Sequence, residues 1–161
     1  MATPILEQVA LKLYTRLGLI TTANGYETTA SGIVRPTKLF SGRLKDYQII
    51  ISQGTVELND DLSRPGNPPA VAWDIPFSIF GELRPSDTST KAIESLCNEF
   101  GADIIKAICT PAASWHNWDG LAIDSQFTSV DIANSEEFVG VKVELTVTIR
   151  TAESNPYTLR T

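Results

Sequence analysis

The stretch FVGVKVELTVTIRT, residues 138–151, decides how the rest of the chain is read. Val139, Val141, Val143, Leu145, Val147 and Ile149 hold successive odd positions. Gly140, Lys142, Glu144, Thr146, Thr148 and Arg150 hold the even positions between them. Period-two alternation of this kind marks a β-strand with one buried and one solvated face. At roughly 3.3 Å per residue the strand spans about 40 Å, about twice the ordinary length. A sheet built around it needs other long partners.

Working outward, VAWDIPFSIFGEL (residues 71–83) alternates in the same way, with Val71, Trp73, Ile75, Phe77 and Ile79 on one face. Pro76 cannot donate to a ladder, which predicts an edge position or a bulge there. A less regular strand is expected over residues 121–132, with a bulge where the apolar phase shifts between Phe127 and Val130. The residues ANSEE turn it back into the opening stretch, giving a long C-terminal β-hairpin. Earlier in the chain, YETTASGIV reads as a modest strand stopped by Pro36, after a turn at Asn24-Gly25. Residues 35–46 read as a loop or splayed hairpin. YQIII (residues 47–51) reads as a short strand buried on both faces. GTVELNDDLSRPGNPPA (residues 54–70) is rich in Pro, Gly, Asn and Asp after a brief strand-like TVEL. Residues 59–69 are therefore expected to form an exposed loop, with Asp60, Asp61, Arg64 and Pro65 as candidate partner contacts. The polar tail, residues 152–161, is expected to fray or to dock elsewhere.

Two amphipathic helices complete the set. The first covers residues 4–17, with Thr3 as cap, Pro4 at the first helical position and Gly18 after the end. Its stripe is Ile5, Leu6, Val9, Leu13 and Leu17. The second covers residues 88–108, capped by Ser86 or Asp87 and ended by Pro111. Its stripe is Ile93, Leu96, Phe100, Ile104, Ala107 and Ile108, with Gly101 as a local weakness. The order α, β, β, β, α, β, β predicts an α+β fold: a mainly antiparallel sheet with both helices packed on one face.

The chain has 161 residues, 42% of them hydrophobic, which suits one domain with a real core. It contains no run of about 18 apolar residues and no signal-like N-terminus, so neither a membrane span nor secretion is expected. Cys97 and Cys109 fall on one helix about 18 Å apart, too far for a disulfide, and free thiols fit the cytosol. The spacing of the cysteines from His116 matches no compact metal pattern. The single His116 limits catalytic triads, and no nucleophile elbow, phosphate loop, HExxH or calcium loop is present. The pairs Asp60-Asp61 and Glu136-Glu137 sit in predicted turns, where side chains diverge, not in an enclosed acid–base cleft. Trp115 and Trp118 can form a stacking platform with His116 and Asn117 or pack down on the core, the latter being the commoner use. The expectation is a non-enzymatic protein with no cofactor and no metal.

Net charge is −6, which argues against general nucleic-acid binding. The charges are unevenly placed. Residues 107–140 contain no Lys or Arg but carry Asp119, Asp124, Asp131, Glu136 and Glu137. Arg35, Lys38, Arg43 and Lys45 cluster in a short segment opposed only by Asp46. These two sets are the candidate subunit interface, the alternative being two solvated faces.

Three features carry a family resemblance over nearly the whole order of elements. They are Asn24-Gly25-Tyr26 after a short N-terminal helix, the basic segment IVRPTK (residues 33–38), and the long strand with its basic-polar exit, VELTVTIRTAESNPY (residues 143–157). The chain resembles the phage tail terminator, or tail completion, family. That resemblance implies a virion structural protein, assembled in the host cytoplasm, that forms a hexameric ring at the head-proximal end of the tail. The ring ends tail tube polymerisation and joins the tail tube protein to a head-completion or neck protein. DNA passes through without specific binding. A closed ring needs two different complementary faces per subunit. The alternatives are another ring component, such as a neck or tail tube protein, and a small cytosolic ligand-binding or enzyme domain.

Overall fold

A computed structural model describes residues 3–35, 46–67, 69–84, 90–134 and 139–159. In chain order the elements are α1 (Ile5–Leu17), a 3-10 turn (Thr22–Asn24), β1 (Gly32–Val34), β2 (Gln48–Gln53), β3 (Glu57–Arg64), β4 (Ala70–Leu83), α2 (Ile93–Ile108), β5 (Asp124–Asn134), β6 (Val139–Ala152) and β7 (Asn155–Leu159). The class is α+β, as expected: two helices and a mostly antiparallel sheet, with seven strands among the described residues.

The alternating stretch is β6, 14 residues long, and its long partner is β4, also 14 residues. The two pair antiparallel over their whole length, from Ala70 opposite Ala152 to Leu83 opposite Val139. The other strands line the two sides of this ribbon. On the β4 side lie β2, against residues 77–82, and β3, against residues 70–74, with β1 parallel to β2 beyond. On the β6 side lie β5, against residues 139–148, and β7, against Thr151 and Ala152.

The odd positions of the ribbon form the buried face, as the alternation predicts. Ile75, Phe77, Ile79, Val141, Val143, Leu145, Val147 and Ile149 join Ile49 and Ile51 of β2 in one core. Both helices cover this face. Helix α1 supplies Ile5, Val9, Leu13 and Leu17, and α2 supplies Phe100, Ile104, Ala107 and Ile108. Helix α2 lies close to the sheet because glycines face it. A Cβ on Gly81 would sit 2.5 Å from Phe100 Cε1, and one on Gly101 would sit 3.0 Å from Val141 Cγ2. Gly101, a weak helix former by propensity, is thus a contact position.

Several boundaries differ from expectation. Helix α1 has Pro4 rather than Thr3 as its N-cap, with no side-chain cap bond; the Thr3 carbonyl instead accepts from Gln8 Nε2. Helix α2 starts at Ile93, again without a side-chain cap, and the expected caps Ser86 and Asp87 lie outside the described residues. The strand expected in YETTASGIV shrinks to Gly32–Val34. Its beginning is held on α2 instead: the backbone N–H of Glu27 and of Thr28, and the Thr28 hydroxyl, all donate to the buried Asp103 carboxylate (3.2, 2.7 and 2.7 Å). Strand β2 is buried on one face only, since Ile49 and Ile51 are buried and Ile50 is half-buried. Most of the loop or hairpin expected at 35–46 lies outside the described residues.

Pro76 is in a central strand, contrary to the edge expectation. The Pro76 carbonyl accepts from Gly54 N (2.8 Å), so its nitrogen points to the same flank, in the gap between the end of β2 and the start of β3. The missing N–H therefore falls where β4 changes neighbours. The bulge expected in β5 is present, as a register shift between Phe127 and Ser129. Residues 59–64, read as loop, belong to β3, whereas the tail, expected to fray or to dock elsewhere, docks on the sheet as β7, paired with β6. A register shift between Asn59 and Arg64 reconciles turn-forming residues with a strand. Side chains close that bulge: Asn59 Oδ1 accepts from Leu62 N (3.1 Å), Ser63 Oγ donates to Asn59 O (2.8 Å), and Ser63 Oγ accepts from Ala72 N (3.0 Å).

Candidate interaction surface

The two charge sets expected to form an interface are only partly free. Arg35 grips Glu7 of α1 through two parallel bonds, Nη1 to Oε1 (2.7 Å) and Nη2 to Oε2 (3.0 Å). Donation from the guanidinium holds the Glu7 carboxyl below its ordinary range and raises Arg35. Asp119 is also engaged within the subunit. It accepts from Lys12 Nζ (2.7 Å) and from Ser114 Oγ (2.5 Å), with Arg16 Nη2 at 3.8 Å, and these bonds lower its carboxyl. The acidic span is therefore opposed by cations of α1 that sequence proximity did not reveal.

Asp124 and Asp131 remain. Both are exposed on β5; no Lys or Arg of the described residues lies within ion-pair distance of Asp124, while Lys142 stands opposite Asp131 in the β5–β6 register and is raised in part by its charge. Asp124 lies 3.7 Å from His116 Nδ1, and Asp131 accepts from Ser129 Oγ. Lys38, Arg43, Lys45, Glu136 and Glu137 lie outside the described residues. Asp60, Asp61, Arg64 and Pro65 are all exposed, with the first three on β3 rather than on a loop.

The β5 side of the sheet is a free edge among the described residues, since β5 pairs only with β6. Beyond the bulge, Val130 and Ile132 fall opposite Val143 and Val141, on the helix-covered face. They lie at its margin and stay 48% and 41% exposed. Beside them Phe127 stacks with Trp115 at 5.5 Å. Trp118 takes the packing role, not the platform role. It is fully buried, donates from Nε1 to Ser125 Oγ (2.6 Å), and lies 4.4 Å beneath the Arg16 guanidinium.

Three buried polar residues escaped the sequence reading. Asp103 fixes the segment after the NGY turn, and Lys106 beside it donates to Gly25 O (2.6 Å). Arg16 Nη1 donates to Ile108 O (2.7 Å) and so caps α2 from α1. Arg150, at an even and nominally wet position, is buried and donates from Nε and Nη2 to Leu62 O (3.1 and 2.9 Å). It holds the bulged part of β3 against the ribbon. A signal existed only for Asp103, as a carboxylate in an otherwise apolar helix stripe.

Two clefts are small. One, of about 240 Å³, is lined by Arg35, Ile51, Ser52, Gln53 and Phe77. The other, of about 150 Å³, is lined by Asn117, Gly120, Leu121, Ala122, Ile123, Arg150 and Leu159. Cavities for drug-sized ligands run to about 300–1,000 Å³. Cys97 and Cys109 are free thiols, pushed up by burial. Among the described residues no group of three or more His, Cys, Asp or Glu is placed to hold a metal, and no helix is long and apolar enough to cross a membrane. Compared with known proteins, the chain matches no family model and no curated protein.

Proposed function

We propose that this chain is a non-enzymatic structural subunit of a phage tail, forming a ring at the head-proximal end that ends tube growth and presents the head-joining surface. The observation that carries this reading is the full-length β4–β6 ribbon, preceded by the NGY turn and the IVRPTK segment in the order the tail terminator family uses. The 14-residue ribbon is central in the sheet, with β1, β2 and β3 on its β4 side and β5 and β7 on its β6 side, so the two edges of the sheet are dissimilar. Two dissimilar edges are what a closed heterologous ring requires. In this reading the tail tube protein and a head-completion or neck protein are the neighbours along the tail axis, and DNA passes through the ring.

Electron microscopy of particles assembled without this protein tests the reading. Overlong, headless tails are the expected result. Headless tails of normal length would place the subunit in the neck instead, and complete, DNA-filled particles would refute a tail role.

A further inference from the structure

Of the chain's asparagines only Asn24 is followed by glycine. That dipeptide is chemically labile, because the Gly25 nitrogen has no side chain beside it to hinder attack on the Asn24 side-chain carbonyl carbon, Cγ. In the step the nitrogen gives up its proton to water, a Cγ–N bond forms, the Cγ–Nδ2 bond breaks and ammonia leaves. Water then opens the cyclic imide. Attack at Cγ leaves aspartate; attack at the main-chain carbonyl leaves isoaspartate, with the chain running on through Cγ. Water is the only co-reactant. The site is open to solvent, yet both reacting groups are tied. Asn24 and Gly25 are exposed at the end of the 3-10 turn, and Gly25 has φ 80°. Asn24 Nδ2 donates to Leu19 O (2.8 Å), and Gly25 N donates to Thr22 O (3.1 Å). The leaving group and the nucleophile are thus each held by a carbonyl of the same short segment. Helix α2 pins that segment: Lys106 Nζ donates to Gly25 O (2.6 Å) and stands 4.8 Å over the Tyr26 ring, and the Asp103 carboxylate holds Glu27 and Thr28 just beyond.

We propose that Asn24 is a spontaneous modification site gated by the opening of its own turn. The folded chain keeps the amide, and each opening of the turn away from α2 exposes it to irreversible conversion. The product does not fit the closed turn. A carboxylate oxygen in place of Nδ2 meets the Leu19 carbonyl, acceptor against acceptor. Isoaspartate also lengthens the backbone just ahead of the residues that Asp103 holds. Opening is reversible and conversion is not, so converted chains accumulate with a loosened turn and one more negative charge. This holds whether or not the subunit forms a ring.

Incubation of the full chain in mildly alkaline buffer, native and in urea, followed by peptide mapping with mass spectrometry, tests this. Conversion at position 24 should be at least about tenfold slower in the native chain, in proportion to the fraction of time the turn is open. Lys106→Met removes the hold on Gly25 O and should speed native conversion several-fold, with the rate in urea unchanged. Equal rates in native and unfolded wild type overturn the proposal, as does a folded Lys106→Met chain that converts no faster than wild type. Should that variant fail to fold, hydrogen exchange of wild type decides. The Gly25 amide, bonded to Thr22 O, should exchange slowly to the same degree as Asn24 converts, and an amide that exchanges as fast as in the unfolded chain overturns the gating.

Discussion

Replacing Gly81 by Ala adds one methyl group at the tightest point between helix and sheet. The new Cβ would lie 2.5 Å from Phe100 Cε1, 2.9 Å from Phe100 Cδ1 and 3.2 Å from Ile104 Cδ1. Comfortable carbon–carbon contact is about 3.5–4.0 Å, so the ring must retreat by about 1 Å. It has little room to do so. Phe100 is fully buried, and its ring meets the edge of Tyr47 at a centroid distance of 5.2 Å. Overpacking of this kind costs about 1–3 kcal/mol. The opposing gain, from a less flexible unfolded chain, is at most about 1 kcal/mol. A net loss of about 1–2 kcal/mol corresponds to a melting point lower by roughly 2–8 °C for a domain of this size. Urea unfolding followed by far-UV circular dichroism measures it. Phe100→Leu should relieve the crowding, so the double variant should be more stable than the two single losses predict. A Gly81→Ala protein as stable as wild type would refute the close approach of α2 to the sheet.

Leu145→Ala, at a fully enclosed position of β6, should cost about 2–5 kcal/mol, and Thr146→Ala on the opposite face well under about 1 kcal/mol; equal losses in thermal melts would contradict the facing. Arg150→Met removes both donors to the Leu62 carbonyl, so chymotryptic cleavage after Leu62 should accelerate several-fold at a stability cost of about 1–3 kcal/mol; unchanged cleavage would show that Arg150 does not restrain β3. The Asp119 carboxyl is lowered by its bond from Lys12, so its stabilising effect is present above the unfolded value and disappears as pH falls through the folded one. Asp119→Asn should therefore melt below wild type at neutral pH, with the gap narrowing as acidification protonates the carboxyl; a gap that stays constant on acidification would argue against the Lys12 bond.

What could be read from the sequence was whatever depends on period and local propensity. The alternation in residues 71–83 and 138–151 specified both long strands and their buried faces, and the phase shift after Phe127 located the bulge. The helix stripes placed the right residues in the core. What could not be read was set by distant partners. Residues 59–64 have turn composition, and only the flank of β4, with Asn59, Ser63 and Arg150 closing the bulge, makes them a strand. Pro76 obeys the rule against prolines in ladders, but through a gap between two neighbours rather than through an edge. Of the proposed charge surface, the separation of signs was legible, whereas the attachment of Asp119 to Lys12 and of Arg35 to Glu7 was not. Both pairings depend on how α1 lies against its neighbours.

The ribbon also sets the order in which the molecule can be made. Strand β4 finds its long partner only in β6, with α2 and β5 lying between them in the chain. As the polypeptide emerges, β4 has β2 and β3 for one edge but nothing yet to pair with the other, and Ile75, Phe77 and Ile79 lack the core residues that β6 supplies beside them. The core cannot close until the last long strand has been synthesised. Pairings so far apart in sequence fold slowly, because the intervening loop must be ordered before the contacts repay it. Until then one whole edge of β4 is unpaired, the kind of segment that aggregates and that chaperones shield. Yield in the cell should accordingly depend on temperature and expression rate more steeply than the stability of the finished fold would suggest.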